Sequence, residues 1–150
     1  MKIGIDINNS DISRAVRNQL KSKGYYVVDM SLEEKKSIGE EVFRKTILAN
    51  TSNLDFLISA QINEGNNIVD VYYEDTELSK KFSEEFIKCI DKLGVSNAKF
   101  NNGEEFYLIK NTKASTSIIK MNLQNIDMQK ENIVQNIISC IEYIRFIERK

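Results

Sequence analysis

The chain of 150 residues contains no histidine, no proline and no tryptophan. Without histidine, the chain can hold no imidazole-bound metal and no serine or cysteine nucleophile activated by a histidine base. Without proline, no cis-proline turn can shape a site. The two cysteines, Cys89 and Cys140, lie far apart in sequence, each among apolar residues of a predicted helix. We therefore expect two free thiols and no disulfide or redox pair.

The chain also lacks an excess of either charge, since 21 basic and 22 acidic residues leave a formal net charge of −1. This balance gives no electrostatic footprint for nucleic acid or for an anionic membrane surface. No apolar run approaches the roughly 20 residues that a membrane-spanning helix needs. Asp6 interrupts the short apolar run after Met1 and Lys2, so no signal peptide is predicted, and we expect a protein made in the cytoplasm.

The pattern of apolar residues predicts a single domain over residues 1–150 in which strands alternate with helices. Ser10 or Asp11 is the expected cap of the first helix, and the capping-box spacing of Ser31–Glu34 is expected to begin the second. The predicted fold is an α/β three-layer sandwich, with a central mixed, mainly parallel sheet of about six strands flanked by helices. The strands are expected at Lys2–Ile7, Tyr25–Met30, Leu54–Gln61, Ile68–Glu74, Glu105–Lys110 and Ser117–Met121, and the helices at Ile12–Lys23, Ser31–Asn50, Glu77–Leu93 and Glu131–Arg149.

Polar side chains follow several of the predicted strands. In open α/β sheets, ligands bind beyond the carboxyl ends of the strands, so these residues form the expected rim of a site. The rim is rich in amides, and Lys120 and Glu64 are its clearest candidates for acid–base work. Its members are Asn8, Asn9, Ser10, Asp11, Gln61, Asn63, Glu64, Lys110, Asn111, Thr112, Lys120 and Asn122.

A family resemblance runs through nearly the whole chain and is strongest over Arg44–Asn63. The chain resembles the zinc-dependent N-acetylmuramoyl-L-alanine amidases of the amidase_3 type, which are cell-wall hydrolases that occur as autolysins, spore-cortex enzymes and phage endolysins. A release through a holin-like route, as for endolysins, is one expectation that follows. The pieces that carry the resemblance occur in order at fitting separations: Ile3–Asp6, Arg44, Ala49–Asn50, Asp55–Ser59, Asn63, Val71–Tyr73, Ser79 and Leu108–Lys113.

The chemistry that the resemblance implies is missing from the matching positions. The family's first histidine ligand follows the opening strand, and this chain has Asn9 there. The glutamate ligand at the start of the first helix has only Asp11 as a counterpart. The second histidine lies in an Ile-Ser-x-His-x-Asn pattern, in which this chain has Gln61. The catalytic glutamate at the end of the last strand is replaced by Lys120.

These replacements predict a degenerate member of the family with no metal and no cofactor, because amides are poor zinc ligands and a lysine ammonium repels a cation. The leading hypothesis is a pseudoenzyme that binds a peptidoglycan fragment or a protein partner, with Asn63, Glu64 and Asn111 as ligand-binding residues. One alternative is a structural or interaction module, or a homo-oligomer, with no ligand in the old groove. Another is a hydrolase with a site rebuilt around Lys120, Glu64 and Asp11.

Overall fold

The computed structural model describes residues 1–31 and 37–148, with side chains up to residue 146. Six strands, five α-helices and a short 3₁₀ turn at Ile90–Leu93 follow one another along this part of the chain. The strands are β1 (Lys2–Ile7), β2 (Tyr26–Asp29), β3 (Phe56–Glu64), β4 (Ile68–Tyr73), β5 (Asn97–Asn102) and β6 (Ser115–Leu123). The helices are α1 (Ser10–Ser22), α2 (Ile38–Thr51), α3 (Glu77–Lys88), α4 (Tyr107–Asn111) and α5 (Ile126–Glu148).

All six strands form one mixed sheet in the order β2-β1-β3-β6-β4-β5. β1, β2, β3 and β6 are parallel, whereas β4 and β5 are parallel to each other and run antiparallel to β6. The carboxyl ends of four strands therefore meet at one edge of the sheet, and those of β4 and β5 lie at the opposite edge. This confirms the predicted mixed, mainly parallel sheet of about six strands.

Two hydrophobic cores cover the two faces of the sheet and make the expected three layers. The larger core joins one face to α1, α3 and α5, through side chains such as Ile12, Phe82 and Ile137. The smaller core joins the other face to α2 and α4, through side chains that include Ala49 and Leu108. α4 has only five residues, and Thr46 and Ala49 are the buried residues of α2, so among the described residues part of this second face has no helix above it.

The helix ends follow the local sequence closely, with some shifts from the predicted bounds. α1 begins at Ser10, and its cap is Asn9 rather than Ser10 or Asp11. α3 ends at Lys88, and the 3₁₀ turn at Ile90–Leu93 covers the rest of the predicted helix. Gly94 follows with a φ of 72°, a left-handed conformation that glycine adopts without strain. α5 begins at Ile126, five residues before the predicted start at Glu131.

Two predictions made for the second helix fall partly outside the described residues. The capping box of Ser31–Glu34 and the predicted start of the helix extend into residues 32–36, which are not described. The cap of α2 within the described part is Ser37, whose side chain accepts a hydrogen bond from the Glu40 amide. The predicted end of the last helix at Arg149 also lies outside the described residues.

The strand predicted at Glu105–Lys110 is wrong, because these residues contribute to the short helix α4. Leu108 and Ile109 are both buried in the smaller core, whereas a strand would point adjacent residues to opposite faces. β5, at Asn97–Asn102, was missed because three of its six residues are asparagine, which is depleted in strands. Since β5 lies at the end of the sheet, it pairs on one side only and keeps polar side chains exposed.

Both cysteines are free, and Cys140 is buried, as expected. Across residues 1–31 and 37–148, no helix has the length and apolar character needed to cross a membrane.

Candidate functional site

The uncovered part of the α2 face lies over the carboxyl halves of β3 and β6. Leu57 and Ile118 belong to the smaller core on this face, and side chains alternate along a strand. Gln61 and Asn63 of β3 therefore point to the same face as Leu57. Lys120 and Asn122 of β6 likewise share the face of Ile118, and they are the direct register partners of Gln61 and Asn63.

A pocket of about 290 Å³ opens beside Gln61, between the end of β1, the start of α1 and helix α2. Lys45 of α2 reaches into it, and its Nζ lies 2.9 Å from Asp6 Oδ1 and 3.1 Å from Glu41 Oε1. The hydroxyl of Ser59 donates to the second oxygen of Asp6 at 2.7 Å. Each carboxylate of this cluster therefore already has a partner within the protein.

Lys45 lines this pocket, and two ion pairs hold its ammonium in place. Burial by itself would lower its pKa, but the carboxylates of Asp6 and Glu41 outweigh burial and raise the pKa above the ordinary lysine value. The ammonium stays charged at neutral pH, and it is not a candidate base. A lysine whose charged form is stabilised by two acids indicates a structural ion network rather than an acid–base centre.

The two asparagines after β1 are used by the protein's own backbone. Asn8 bonds reciprocally to β3, donating to the Ile62 carbonyl at 3.2 Å and accepting from the Ile62 amide at 2.7 Å. Asn9 Oδ1 accepts from the Ile12 amide at 3.0 Å and caps α1. The sequence places Asn9 at a ligand position, yet its oxygen satisfies one of the free amides that every helix start presents.

The acidic residues of the predicted rim turn away from the uncovered face. Asp11 pairs with Lys130 of α5 at 2.9 Å, and this hydrogen bond is the main cause of its lowered pKa. Glu64 lies in β3 next to Asn63, so its side chain points to the opposite face, where its Oε1 accepts from the Ile126 amide at the start of α5. β3 extends to Glu64, three residues beyond the predicted end of this strand at Gln61.

Asn111 lies at the other edge of the sheet. It ends α4 and precedes the amino end of β6, and its carbonyl accepts from the side chain of Asn50 at 2.9 Å. Asn50, at the end of α2, also accepts from the Lys113 amide at 2.9 Å. The expected rim that joins Asn111 to Gln61 and Lys120 does not form, because the segment before Asn111 is a helix rather than a strand.

Solved structures of amidases share this fold. The catalytic domain of the CD27L endolysin, which targets Clostridia difficile, is 19% identical, with a TM-score of 0.73 over 95% of this chain and 97% of that one. The N-acetylmuramoyl-L-alanine amidase AmiC2 of Nostoc punctiforme is 14% identical, with a TM-score of 0.72 over 97% of both chains. The CwlD amidase of Clostridioides difficile, solved in complex with the GerS lipoprotein, is 17% identical, with a TM-score of 0.67 over 97% and 98%.

The chain therefore has the fold of N-acetylmuramoyl-L-alanine amidase catalytic domains, matched along nearly its whole described length. The sequence itself matches no protein-family model and no curated protein. At identities below 20%, the likeness to these structures establishes the fold, and the chemistry has to be argued from the residues present.

The residues that the family resemblance places at zinc positions do not fit a zinc ion. The side-chain oxygen of Asn9 is engaged in capping α1, and Asp11 is paired with Lys130. Gln61 offers only a neutral amide, and its neighbour Lys120 is a cation. Within the described ranges, no three histidine, cysteine, aspartate or glutamate side chains are grouped as a metal site.

Proposed function

We propose that this chain is a catalytically inactive relative of the N-acetylmuramoyl-L-alanine amidases that acts by binding a peptidoglycan fragment. The observation that carries this proposal is the joint replacement of ligands and base by Asn9, Gln61 and Lys120 on an amidase fold. Asn9 has a structural role instead, as the cap of α1. Several changes at one site support the proposal that hydrolysis is lost while the scaffold is kept.

Hydrolysis by a zinc amidase requires a water molecule that the metal activates for attack. A catalytic zinc uses three protein ligands and leaves one position for the water that it activates. Amide oxygens bind zinc weakly, and a protonated lysine beside the site neither accepts a proton nor tolerates a nearby cation. The carboxylates nearest to the pocket, Asp6 and Glu41, are already occupied by the ammonium of Lys45.

The binding surface of this proposal is the uncovered face that carries Gln61 and Asn63, together with the adjacent pocket. Both side chains are exposed, and no hydrogen bond to another described residue occupies either amide. Peptidoglycan stems offer amide and carboxylate groups, which side-chain amides can bind. The likeness to amidases and to an endolysin domain supports a ligand from the same material.

The proposal is tested by calorimetric titration of the purified chain with N-acetylmuramoyl-L-alanyl-D-glutamate. Replacing Gln61→Ala or Asn63→Ala should weaken binding about tenfold, since each removes a polar contact to the ligand. Asn66→Ala, in the exposed turn after β3, is the matched control and should leave the affinity unchanged. Binding that is equal in all four proteins would place the ligand elsewhere and contradict the proposal.

A protein partner is the second candidate for the same fold. The CwlD amidase, solved in complex with the GerS lipoprotein, supports it, because there an amidase fold is held by another protein. If this reading applies, muropeptides do not bind, and a single protein partner from the native host co-purifies with the tagged chain. A chain that instead elutes as a homo-oligomer, with neither ligand nor partner, would favour the structural-module alternative.

The rebuilt-hydrolase alternative receives no support from the placement of its residues. Lys120 lies on the α2 face, whereas Glu64 points to the face covered by α5. Asp11 is turned toward α5 through Lys130. The three side chains thus do not converge on one point where a reacting atom could sit.

A further inference from the structure

Lys120 differs from the other half-buried lysine near this site in having no acidic partner. Its Nζ lies 5.3 Å from the centre of the Phe106 ring and 5.8 Å from that of Tyr72, so the ammonium rests against two aromatic rings. Among the described residues, no carboxylate lies within 4.0 Å of it. Lys45, by contrast, contacts two carboxylates.

The charged groups in the same row of the sheet leave this cation unneutralised. Asp70 is the register partner of Lys120 in β4, and Lys99 of β5 is the next along. Asp70 thus lies between two lysines and forms no ion pair within the described part of the chain. The row carries one net positive charge and lies on the face of the smaller core, next to the Tyr72 and Phe106 rings that pack against that core, so it favours an anionic group.

Free amides surround Lys120 on this face. Gln61 is its direct partner in β3, and Asn63 and Asn122 form the neighbouring pair of the same register. None of these three side chains makes a hydrogen bond to a described residue. Asn8, Asn9 and Asn50, which lie around the same sheet, all bond to the backbone, whereas the three amides beside Lys120 remain available to a ligand.

From these observations we propose that Lys120 binds a carboxylate of a short acidic peptide, with the amides of Gln61, Asn63 and Asn122 binding the peptide's own amides. The inference rests on the proposed function and specifies its ligand chemistry. An ammonium half-shielded by two rings strengthens a charge-assisted hydrogen bond, because water competes less there. A single cation in a chain of net charge −1 does not suit a polyanion such as nucleic acid.

Calorimetric titration with two matched ligands tests the proposal. The first ligand is N-acetylmuramoyl-L-alanyl-D-glutamate, and the second is its diamide, in which amides replace both carboxylates. The wild-type chain should bind the acid about tenfold more tightly than the diamide, because only the acid can pair with Lys120. Lys120→Met, which keeps the apolar stem against the rings, should bind both ligands equally, and Lys120→Arg should keep a preference for the acid.

Lys88→Met is the control, since Lys88 is an exposed lysine of α3 on the opposite face, and it should leave the preference intact. A wild-type chain that binds both ligands equally well overturns the inference and leaves the proposed function standing. A Lys120→Met variant that still prefers the acid over the diamide as strongly as the wild-type chain also overturns the inference and leaves the proposed function standing. A wild-type chain that binds neither ligand overturns the inference and the peptidoglycan-binding function together. The comparison of the two ligands on the wild-type chain holds even if a variant fails to fold.

Discussion

The side-chain amides at the strand ends fall into two groups: those that bond to the protein's own backbone and those that remain exposed. Asn8 and Asn9 bond to backbone groups and fix the exit of β1 into α1. Gln61 and Asn63 remain exposed, and no backbone group of the described residues uses them. A replacement at the first kind of position should therefore change stability, and a replacement at the second kind should change binding.

Replacing Asn9→Ala should lower the free energy of unfolding by about 1 kcal/mol, because the Ile12 amide loses its cap. Asn9→Ser, which keeps a capping oxygen, should retain most of the stability. Urea denaturation followed by circular dichroism measures both variants. An alanine variant as stable as the wild-type chain would show that Asn9 is free for another role.

Glu74 gives a pH-dependent prediction. Burial raises its pKa, although its Oε1 accepts a hydrogen bond from the Thr116 amide at 2.9 Å. A raised pKa in the folded state stabilises the fold below the unfolded pKa of about 4.3 and loses that contribution as the pH rises through the folded value. Glu74→Gln, which keeps an acceptor and has no charge, should therefore be more stable than the wild-type chain at pH 7.

This advantage of Glu74→Gln should shrink at pH 4, where the wild-type carboxyl is largely protonated. Urea midpoints at the two pH values measure it, and Glu105→Gln in an exposed turn serves as the control. If the difference between variant and wild type is the same at pH 4 and pH 7, then burial of Glu74 is not the cause.

At the scale of elements, the antiparallel direction of β4 and β5 determines which of the predicted site residues lie at the same edge of the sheet. Because these two strands run against the other four, the segment after β5 lies at the opposite edge from Gln61 and Lys120. Asn111 is therefore tied to the end of α2 through Asn50. The uncovered face is built by β3 and β6, with the pocket beside it closed by β1, α1 and α2.

Helix α3 is joined to β6 by buried hydroxyls. Ser79 Oγ accepts from the Glu74 amide at 2.9 Å, donates to the Thr116 carbonyl at 2.9 Å and lies 2.7 Å from Ser117 Oγ. Ser79→Ala should lower the free energy of unfolding by about 1–3 kcal/mol, since it leaves buried polar groups without a partner.

Ser96→Ala, at an exposed loop position, is the control for Ser79→Ala, and its effect should stay within about 0.5 kcal/mol. Urea midpoints measured with unchanged slopes compare the two variants. Equal stability of Ser79→Ala and the wild-type chain would mean that these hydroxyl bonds contribute nothing.

The sequence predicts the elements whose apolar pattern is strong and misses those held by tertiary context. β1 has the predicted bounds, since its residues alternate around a β-branched core. β5 has no such signal, because pairing with β4 alone holds an asparagine-rich edge strand in place. The resemblance predicts Gln61 and Lys120 in one site, but their direct pairing comes from the register of β3 and β6. The ion pair of Asp11 with Lys130 depends on the position of α5, which local sequence does not specify.

At the scale of the whole molecule, the chain has an amidase fold, and two residues that the family resemblance places at zinc positions have other partners in the structure: Asn9 caps α1, and Asp11 pairs with Lys130. The two cores and the six-stranded sheet depend on apolar packing and do not need a bound metal. Loss of a catalytic metal site, as proposed for this chain, would therefore leave such a scaffold intact. This separation of fold from chemistry is why the function proposed for the chain is binding without hydrolysis.

The most direct test of this account measures the release of alanine amino groups from purified peptidoglycan, with zinc supplied in excess. Cleavage of the amide between muramic acid and L-alanine adds one water and frees one amino group for each bond cut. We predict no release above the buffer level at any protein concentration, while AmiC2 of Nostoc punctiforme, assayed in parallel, releases amino groups. Release that rises in proportion to the concentration of this chain would contradict the account.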